Sequence, residues 1–549
     1  MIQALQRAHA AWARKAGALP ARKVIWGLAA VFCVWVLLDV LALQLTGGVA
    51  RSTFDAMVRA RVLVDKPDPR VLIIDIDEPS LKRMAPEFGR WPWPRDTLAT
   101  VLDYLEQQQP AAIVWDIVFS DADRISPGGD AAFDSAVQRS RHSHFSVARL
   151  SHDTDAQSEI SRAALPTLWA SAAPSAAAKQ SATVAVIPPA LSAVAASRLG
   201  YNNGYVDADG VLRRYRSFET LADGSSIQSI PMSVLAALRP DAYQQALAAM
   251  PAAGDTGGAL IAWRRAPSAY PRVSFADVFE AAEGGKPTAA VPSFAGKILI
   301  IGSAAASLHD IHPTPLGATH PGVDALATVL DNTVNQRHIR ELPRWLNALL
   351  AVALCLGLAA WVQHRKIASL TVPTLVLPAG LMFVSYLTLN GAPVFVDLQL
   401  SAALALLFLA LLRYWNQLRR KYWCTPPEGA GLALWELRRS SPWLEVPLDH
   451  LIDLVEKHAP DCRVVVPDLF VGAFQELRWP ELGCNAALVG PHDTLQRKLP
   501  DLARAVQRVA TGQGSLLSLE GTHNRQTIAH AALRVWSAHD TTDSVGEPT

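Results

Sequence analysis

Four charged side chains stand where apolar, strand-like runs end or the next helix begins. Asp77 follows VLIIDI, Asp116 follows AAIVW, Arg95 opens an amphipathic helix, and Asp310 lies beyond the glycine that closes KILIIG. In open α/β sheets, ligands bind beyond the carboxyl ends of the strands. Three carboxylates and one guanidinium there could hold a small polar molecule, so Asp77, Arg95, Asp116 and Asp310 are the candidate ligand-binding residues. The alternative is structural: the same groups pair with one another and cap turns. His309, His312 and His320 flank Asp310, and such a cluster can ligate metal. Their spacing matches no motif such as H-E-x-x-H, so no metal is expected. Asp207-Ala208-Asp209-Gly210 is read as a turn, because a calcium loop would need more oxygens and a distal Glu. No G-x-S-x-G elbow or convincing pair of carboxylates appears, and no catalytic residue or cofactor is assigned.

The elements that must position these groups alternate. Residues 71–76 form a short β-branched run, read as a buried strand. Over 95–107, Leu98, Val101, Leu102 and Leu105 recur at helical spacing, with Asp96 near the start. Strands are expected over 112–117 and 297–301, and a helix from 130 to 137. Strand, helix and strand in close succession imply a parallel pair joined by a right-handed crossover. Between the first strand and helix lies Gly89-Arg90-Trp91-Pro92-Trp93-Pro94-Arg95. Each proline fixes its own φ and pushes the residue before it to extended geometry. This stretch predicts a rigid surface turn with large flat side chains to pack. Residues 151–180, rich in Ala and Ser, read as a loop or insertion.

Half the residues are hydrophobic while basic and acidic residues number 50 and 49, so very apolar stretches must alternate with ordinary ones. The even charge gives no reason to expect nucleic acid as a partner. Residues 24–45 are nearly all apolar and long enough for a bilayer core of ~30 Å. Residues 345–362, 367–389 and 398–412 make three more candidate spans, and Trp345 and Trp361 stand where interfacial anchors are expected. Basic residues cluster in the N-tail 1–23, in the 363–366 loop and after 412. The positive-inside rule then places both termini in the cytoplasm and 46–344 outside. The first apolar run exceeds the ~7–15 residues of a signal-peptide core, so an uncleaved anchor is expected. Asp39 within it is costly; its simplest reading is that it faces the other helices near the outer interface. The five cysteines agree with this layout: Cys33 and Cys355 lie in apolar runs, Cys424, Cys462 and Cys484 in the C-terminal part, none between 46 and 344. The outer segment then needs no disulfide, and the C-terminal thiols lie in a reducing compartment.

Several blocks occur in a telling order. They are Ile76-Asp77-Glu78-Pro79-Ser80-Leu81, GRWPWPR, Val114-Trp115-Asp116-Ile117-Val118-Phe119, Gly200-Tyr201-Asn202-Asn203 and Asp207 to Arg214. Phe294 to Gly302, Asp310 with Thr314-Pro315, and Pro321-Gly322-Val323-Asp324-Ala325-Leu326-Ala327 follow. Over about 50–335 the chain resembles the CHASE type-2 sensor domain, an extracytoplasmic module of bacterial membrane receptors. The resemblance implies one helix before the sensor, three after it, and a cytoplasmic output.

In the remaining 413–549, aromatic and basic residues up to Trp423 are expected at the lipid interface. Helices are expected over 448–457, 499–511 and 527–536, and strands over 462–466, 486–489 and 515–519. The fold class expected is thus a multi-domain membrane protein: an α/β periplasmic sensor domain, four transmembrane helices and a small cytoplasmic α/β domain. The tail lacks G-x-x-x-x-G-K-[ST], GGDEF and the kinase motif set. Asp468 lacks the acidic pocket and downstream Lys of a phosphoacceptor. The function expected is a bacterial inner-membrane receptor, multi-pass and homodimeric, that senses an unknown periplasmic ligand and acts through a cytoplasmic protein partner. The alternatives are a divergent nucleotide cyclase-like enzyme and a membrane scaffold.

Overall fold

VLIID and ILIIG carry apolar side chains on both faces, so each strand must be covered on both sides. The computed structural model answers this with a parallel sheet between two helical layers. It describes residues 12–13, 15–43, 45–161, 169–170, 183–194, 198–220, 226–249, 258–265, 269–364, 370–424, 432–439, 448–465, 486–491, 493, 497–498, 501, 504–505 and 514–523.

The chain forms two units, one of which comprises Thr46–Pro343 with Phe383–Asp397. After the apolar helix α1 (Ala21–Leu38), which belongs to the other unit, come α2 (Gly47–Ala60), β1 (Val71–Asp75), α3 (Glu78–Phe88) and α4 (Arg95–Gln107). Then follow β2 (Ala112–Trp115), α5 (Gly129–Arg139), β3 (Ser143–Arg149), β4 (Val186–Ile187), β5 (Leu199–Tyr201) and α6 (Ile230–Leu238). The unit continues with β6 (Arg272–Ser274), α7 (Phe275–Ala282), β7 (Ile298–Gly302), β8 (Ile311–Thr314), β9 (Gly317–Pro321) and α8 (Gly322–Asn335).

The sheet runs β6-β1-β7-β2-β3, all parallel, with β5 parallel and β4 antiparallel to β3. The expected parallel arrangement of β1 and β2 holds, but they are not neighbours, because β7 lies between them. Its run ILIIG is buried at every position and suits the middle of the sheet. Leu72, Ile74, Ile113, Trp115, Leu299 and Ile301 face one way, against Leu98, Val101, Leu102 and Leu105 of α4, Phe133 of α5 and Phe275 of α7. Val71, Ile73, Val114, Ile298 and Ile300 face the other, against α6 and α8. Trp115 stacks parallel to Phe145, ring centres 6.1 Å apart.

The GRWPWPR turn, whose Trp91–Pro92 peptide is cis, does not stay wholly at the surface. Trp93 is buried against Phe275 with ring centres 5.2 Å apart, and Trp91 meets it edge-on at 5.0 Å. Of the expected loop 151–180, the described part holds a short 3-10 turn over His152–Gln157 and Trp169–Ala170, which pairs with Ser226–Gln228.

Among the described residues, four helices are long and apolar enough to cross a membrane: α1, α9 (Arg344–Val362), α10 (Thr371–Gly391) and α11 (Gln399–Trp423), all in the other unit except the end of α10 from Phe383. The first ends earlier than the expected 24–45, in a π-turn over Asp39–Leu43. Asp39 is buried there, and its Oδ1 accepts the Leu45 N–H at 2.9 Å. The last helix runs well past the expected 412. Trp415, Leu418 and Trp423 keep an apolar face at helical spacing, so the turn never meets a reason to stop.

In the C-terminal residues, β10 (Leu432–Arg439), α12 (Leu448–His458), β11 (Arg463–Val465), β12 (Ala486–Pro491) and β13 (Gly514–His523) are described. The strands form an antiparallel sheet ordered β11-β12-β10-β13. The central β10 has no sequence signal of its own, since LALWELRR follows no single period. Arg420 at the end of α11 pairs with Asp449 of α12 at 2.8 Å, and Arg419 pairs with Asp453 at 2.6 Å. Asp468 and the expected helix 527–536 lie outside the described residues, as does most of 499–511.

Candidate functional site

Parallel register brings the carboxyl ends of the three central strands level: Asp75 pairs with Gly302, and Ile301 with Trp115. The ladder extends one step further, where the Asp116 N–H donates to the Ile301 carbonyl at 2.8 Å. Asp116 therefore stands beside Gly302, and a Cβ at 302 would lie 3.0 Å from the Asp116 Cβ. The β8–β9 hairpin returns over this edge and carries His312 toward it, with Asp310 just before it. Asp116, Asn202, Tyr215, Asp310, His312 and Gly322 line a small cavity of about 70 Å³. Asn202 Nδ2 donates to Asp116 Oδ1. His312 Nε2 lies 3.4 Å from Asp310 Oδ1. Gly322 makes room, because a Cβ there would lie 2.5 Å from the Asp310 carboxyl carbon. Gly322 also begins the fourteen-residue α8, whose N-terminus favours a carboxylate.

Burial and then the neighbouring Asp310 charge push the Asp116 carboxyl up to about 7, against the opposing effects of His312 and Asn202. The hydrogen bond to Asp310, followed by that residue's charge, raises His312 above the ordinary imidazole range, against desolvation. Both shifts favour the protonated forms of these groups. Among the described residues, no group of three or more His, Cys, Asp or Glu could hold a metal ion.

The sign of the pH effect follows. Asp116 has a folded value of about 7, above an unfolded value of ~3.9. Its contribution to stability is therefore full below about pH 4 and declines as pH rises to about 7. In Asp116→Asn this part of the decline should vanish. Thermal unfolding of wild type and variant across that window measures it, and parallel curves would contradict the assignment.

The structure brings two of the four expected residues together, Asp116 and Asp310, and sends the other two elsewhere. Asp77 caps α3, accepting the Ser80 N–H at 2.8 Å and the Ser274 hydroxyl at 2.9 Å, which is the cap role of the alternative reading. Arg95 is buried and closes the loop after β2. It pairs with Asp130, donates to the Asp121 carbonyl, and gives its own N–H to Asp123 Oδ2 at 2.8 Å. That places it in the wall of a second and larger groove, about 390 Å³. Asn202, Tyr215 and Gly322 were missed as site residues. Asn202 and Gly322 do lie in the blocks GYNN and PGVDALA, but nothing local said which side chains face Asp116.

The Asp207–Gly210 segment is a turn, with the Gly210 N–H donating to the Asp207 carbonyl at 2.8 Å and Gly210 at φ +79°. Its carboxylates are taken by Arg213, which also pairs with Asp55 of α2 at 2.8 Å. His320 sits apart, beside Trp263 and Thr314.

The family model of the CHASE2 domain matches residues 28–361. No curated protein and no solved structure matches the chain.

Proposed function

The chain belongs to the CHASE2 domain family, and from that premise we propose that it is a bacterial inner-membrane receptor whose sheet-bearing unit senses a stimulus outside the cytoplasm. CHASE2 domains are extracellular sensory domains of signalling proteins, and four helices here are apolar enough to span a bilayer. In this reading residues 46–344 face the periplasm, both termini are cytoplasmic, and the stimulus acts at the Asp116–Asp310 cavity. Relay passes to residues 413–549, which act on a cytoplasmic protein partner by contact, in a homodimer.

One observation carries the relay. The segment between α10 and α11 is built into the sensing unit itself. Val394–Phe395 pairs in parallel with Arg340–Glu341, just before α9. Asn390 Oδ1 accepts the N–H groups of Val62 at 3.1 Å and Leu63 at 2.9 Å, and Tyr386 donates to the Ala60 carbonyl at 2.9 Å. Phe54 of α2 meets Phe395 edge-on at 5.1 Å. A rearrangement of the sensing unit is thereby felt at the chain ends of three of the four apolar helices. A ligand drives such a shift only by its differential affinity for two states.

Topology is the test. In a cysteine-free background, a single cysteine at the exposed Lys286 position should react with a membrane-impermeant maleimide in intact cells. One placed at Thr549 should react only after lysis. The opposite pattern would end the receptor reading.

A further inference from the structure

The larger groove is built by the GRWPWPR turn and the loop that leaves β2, and neither the acidic cavity nor the family assignment accounts for it. Its volume of about 390 Å³ falls within the roughly 300–1,000 Å³ of small-molecule sites. Trp91, Trp93 and Phe119 supply aromatic surface, and Ser120, Asp121 and Arg124 a polar lip. Trp91 is only half-buried, while Trp93 is 3% exposed. The buried Trp93 Nε1–H has no acceptor among the described residues. That N–H is closed off from the groove, as are those of Trp115 and Trp263 in the core, so the polar partners of a ligand are the exposed groups of the lip. Arg124 is exposed and makes no ion pair among the described residues. The Asp121 carboxylate accepts from the Ser120 hydroxyl at 3.0 Å and is otherwise open to solvent. Asp123, by contrast, is used up by the backbone N–H groups of Arg95, Ile125 and Ser126.

We propose that this groove binds an uncharged saccharide ring, with Trp91 as the stacking platform and Asp121 and Arg124 as hydroxyl partners. Each sugar hydroxyl both donates and accepts, which a carboxylate and a guanidinium together satisfy. The two charges on the lip have opposite sign. An anionic ligand drawn to Arg124 is repelled by Asp121, and a cation the reverse, so a neutral polyhydroxyl ligand meets no net penalty. An apolar ligand would desolvate the Asp121 and Arg124 side chains without replacing their hydrogen bonds to water. The loop over residues 117–125 continues directly from Asp116, so one short segment joins the groove to the acidic cavity. Binding at this groove is separate from the stimulus cavity of the reading above and does not depend on that reading.

The experiment uses the full chain in lipid nanodiscs, with N-acetylglucosamine and cellobiose as probes and benzoate as the charged aromatic control. Saturation-transfer NMR and calorimetry read binding. Transfer to the ring C–H protons of a saccharide is expected. Trp91→Ala should weaken binding by about tenfold. Arg124→Gln, which removes no hydrogen bond or ion pair among the described residues, should weaken it severalfold, and Lys286→Gln, at an exposed position lining neither cavity, should leave it unchanged. No transfer to either saccharide, equal affinity in Trp91→Ala and Arg124→Gln, or a preference for benzoate would each overturn the proposal. Saccharide binding in a protein whose Lys286→Cys site is unreactive in intact cells would overturn the receptor reading and leave the groove standing.

Discussion

Arg213→Met should destabilise the sheet-bearing unit by about 3–5 kcal/mol, the usual cost of removing one partner from a buried ion pair. The guanidinium is 2% exposed and serves three carboxylates: Asp55 at 2.8 Å, Asp207 at 2.8 Å and Asp209 at 2.7 Å. Methionine keeps much of the stem volume but leaves Asp55 and Asp207, both largely buried, without their shared cation. The same network explains an acid limb. Hydrogen bonds from Arg213, and then its charge, hold the Asp209 carboxyl down at about 2 against desolvation. Because that value lies below the unfolded ~3.9, the contribution is present above about pH 4 and is lost as pH falls toward 2. Asp209 is considerably exposed, so most of the loss in Arg213→Met comes from the other two acids. Denaturant titration of the purified full chain measures the change, and a variant as stable as wild type would refute the buried-hub account. Asp55 lies on α2, the helix that follows the first apolar span. The variant should therefore also loosen α2, visible as faster amide exchange over Gly47–Ala60.

Gly200→Ala is the second large effect, expected to exceed about 3 kcal/mol, at the upper end of overpacking costs. A Cβ at this position would lie 2.5 Å from both the Ile230 Cα and the Ser229 carbonyl carbon. These are backbone atoms, so no rotamer can relieve the contact. Ile230 begins α6, and its buried side chain covers the sheet face formed by Val71, Ile73 and Val114. The helix or β5 would have to move, opening that layer. Gly210→Ala provides the contrast. It meets nothing within 4 Å but sits at φ +79°, so its cost is only the ~1 kcal/mol of a left-handed alanine. Protease resistance and thermal unfolding of the two variants separate them, and equal behaviour would mean that β5 and α6 are not in close contact.

Much of the site was legible in part. The helix over 95–107 appears with those bounds, because its apolar period and its preceding proline are local signals. Asp116 is expected at a strand end and Asp310 beyond the loop that follows Gly302, and they do share a cavity. Arg95 was chosen by the same rule and went elsewhere. Its buried position between Asp130 and the Asp121 carbonyl depends on a loop whose path no local pattern describes. Tyr215 could not have been chosen from sequence, since its only link to Asp116 is spatial.

The sequence by itself determined the four apolar helices, the α/β alternation and the membership of the CHASE2 family. These follow from hydropathy, periodicity and ordered motifs, which are properties of neighbouring residues. Only the tertiary structure decided that Ile298–Gly302 enters between two strands far earlier in the chain, that Asp116 faces Asp310 rather than Arg95, and that Trp93 turns inward while Trp91 stays at a groove. Those outcomes turn on which distant surfaces bury each other. Strand register and side-chain packing set them, and neither is encoded in any single window of sequence.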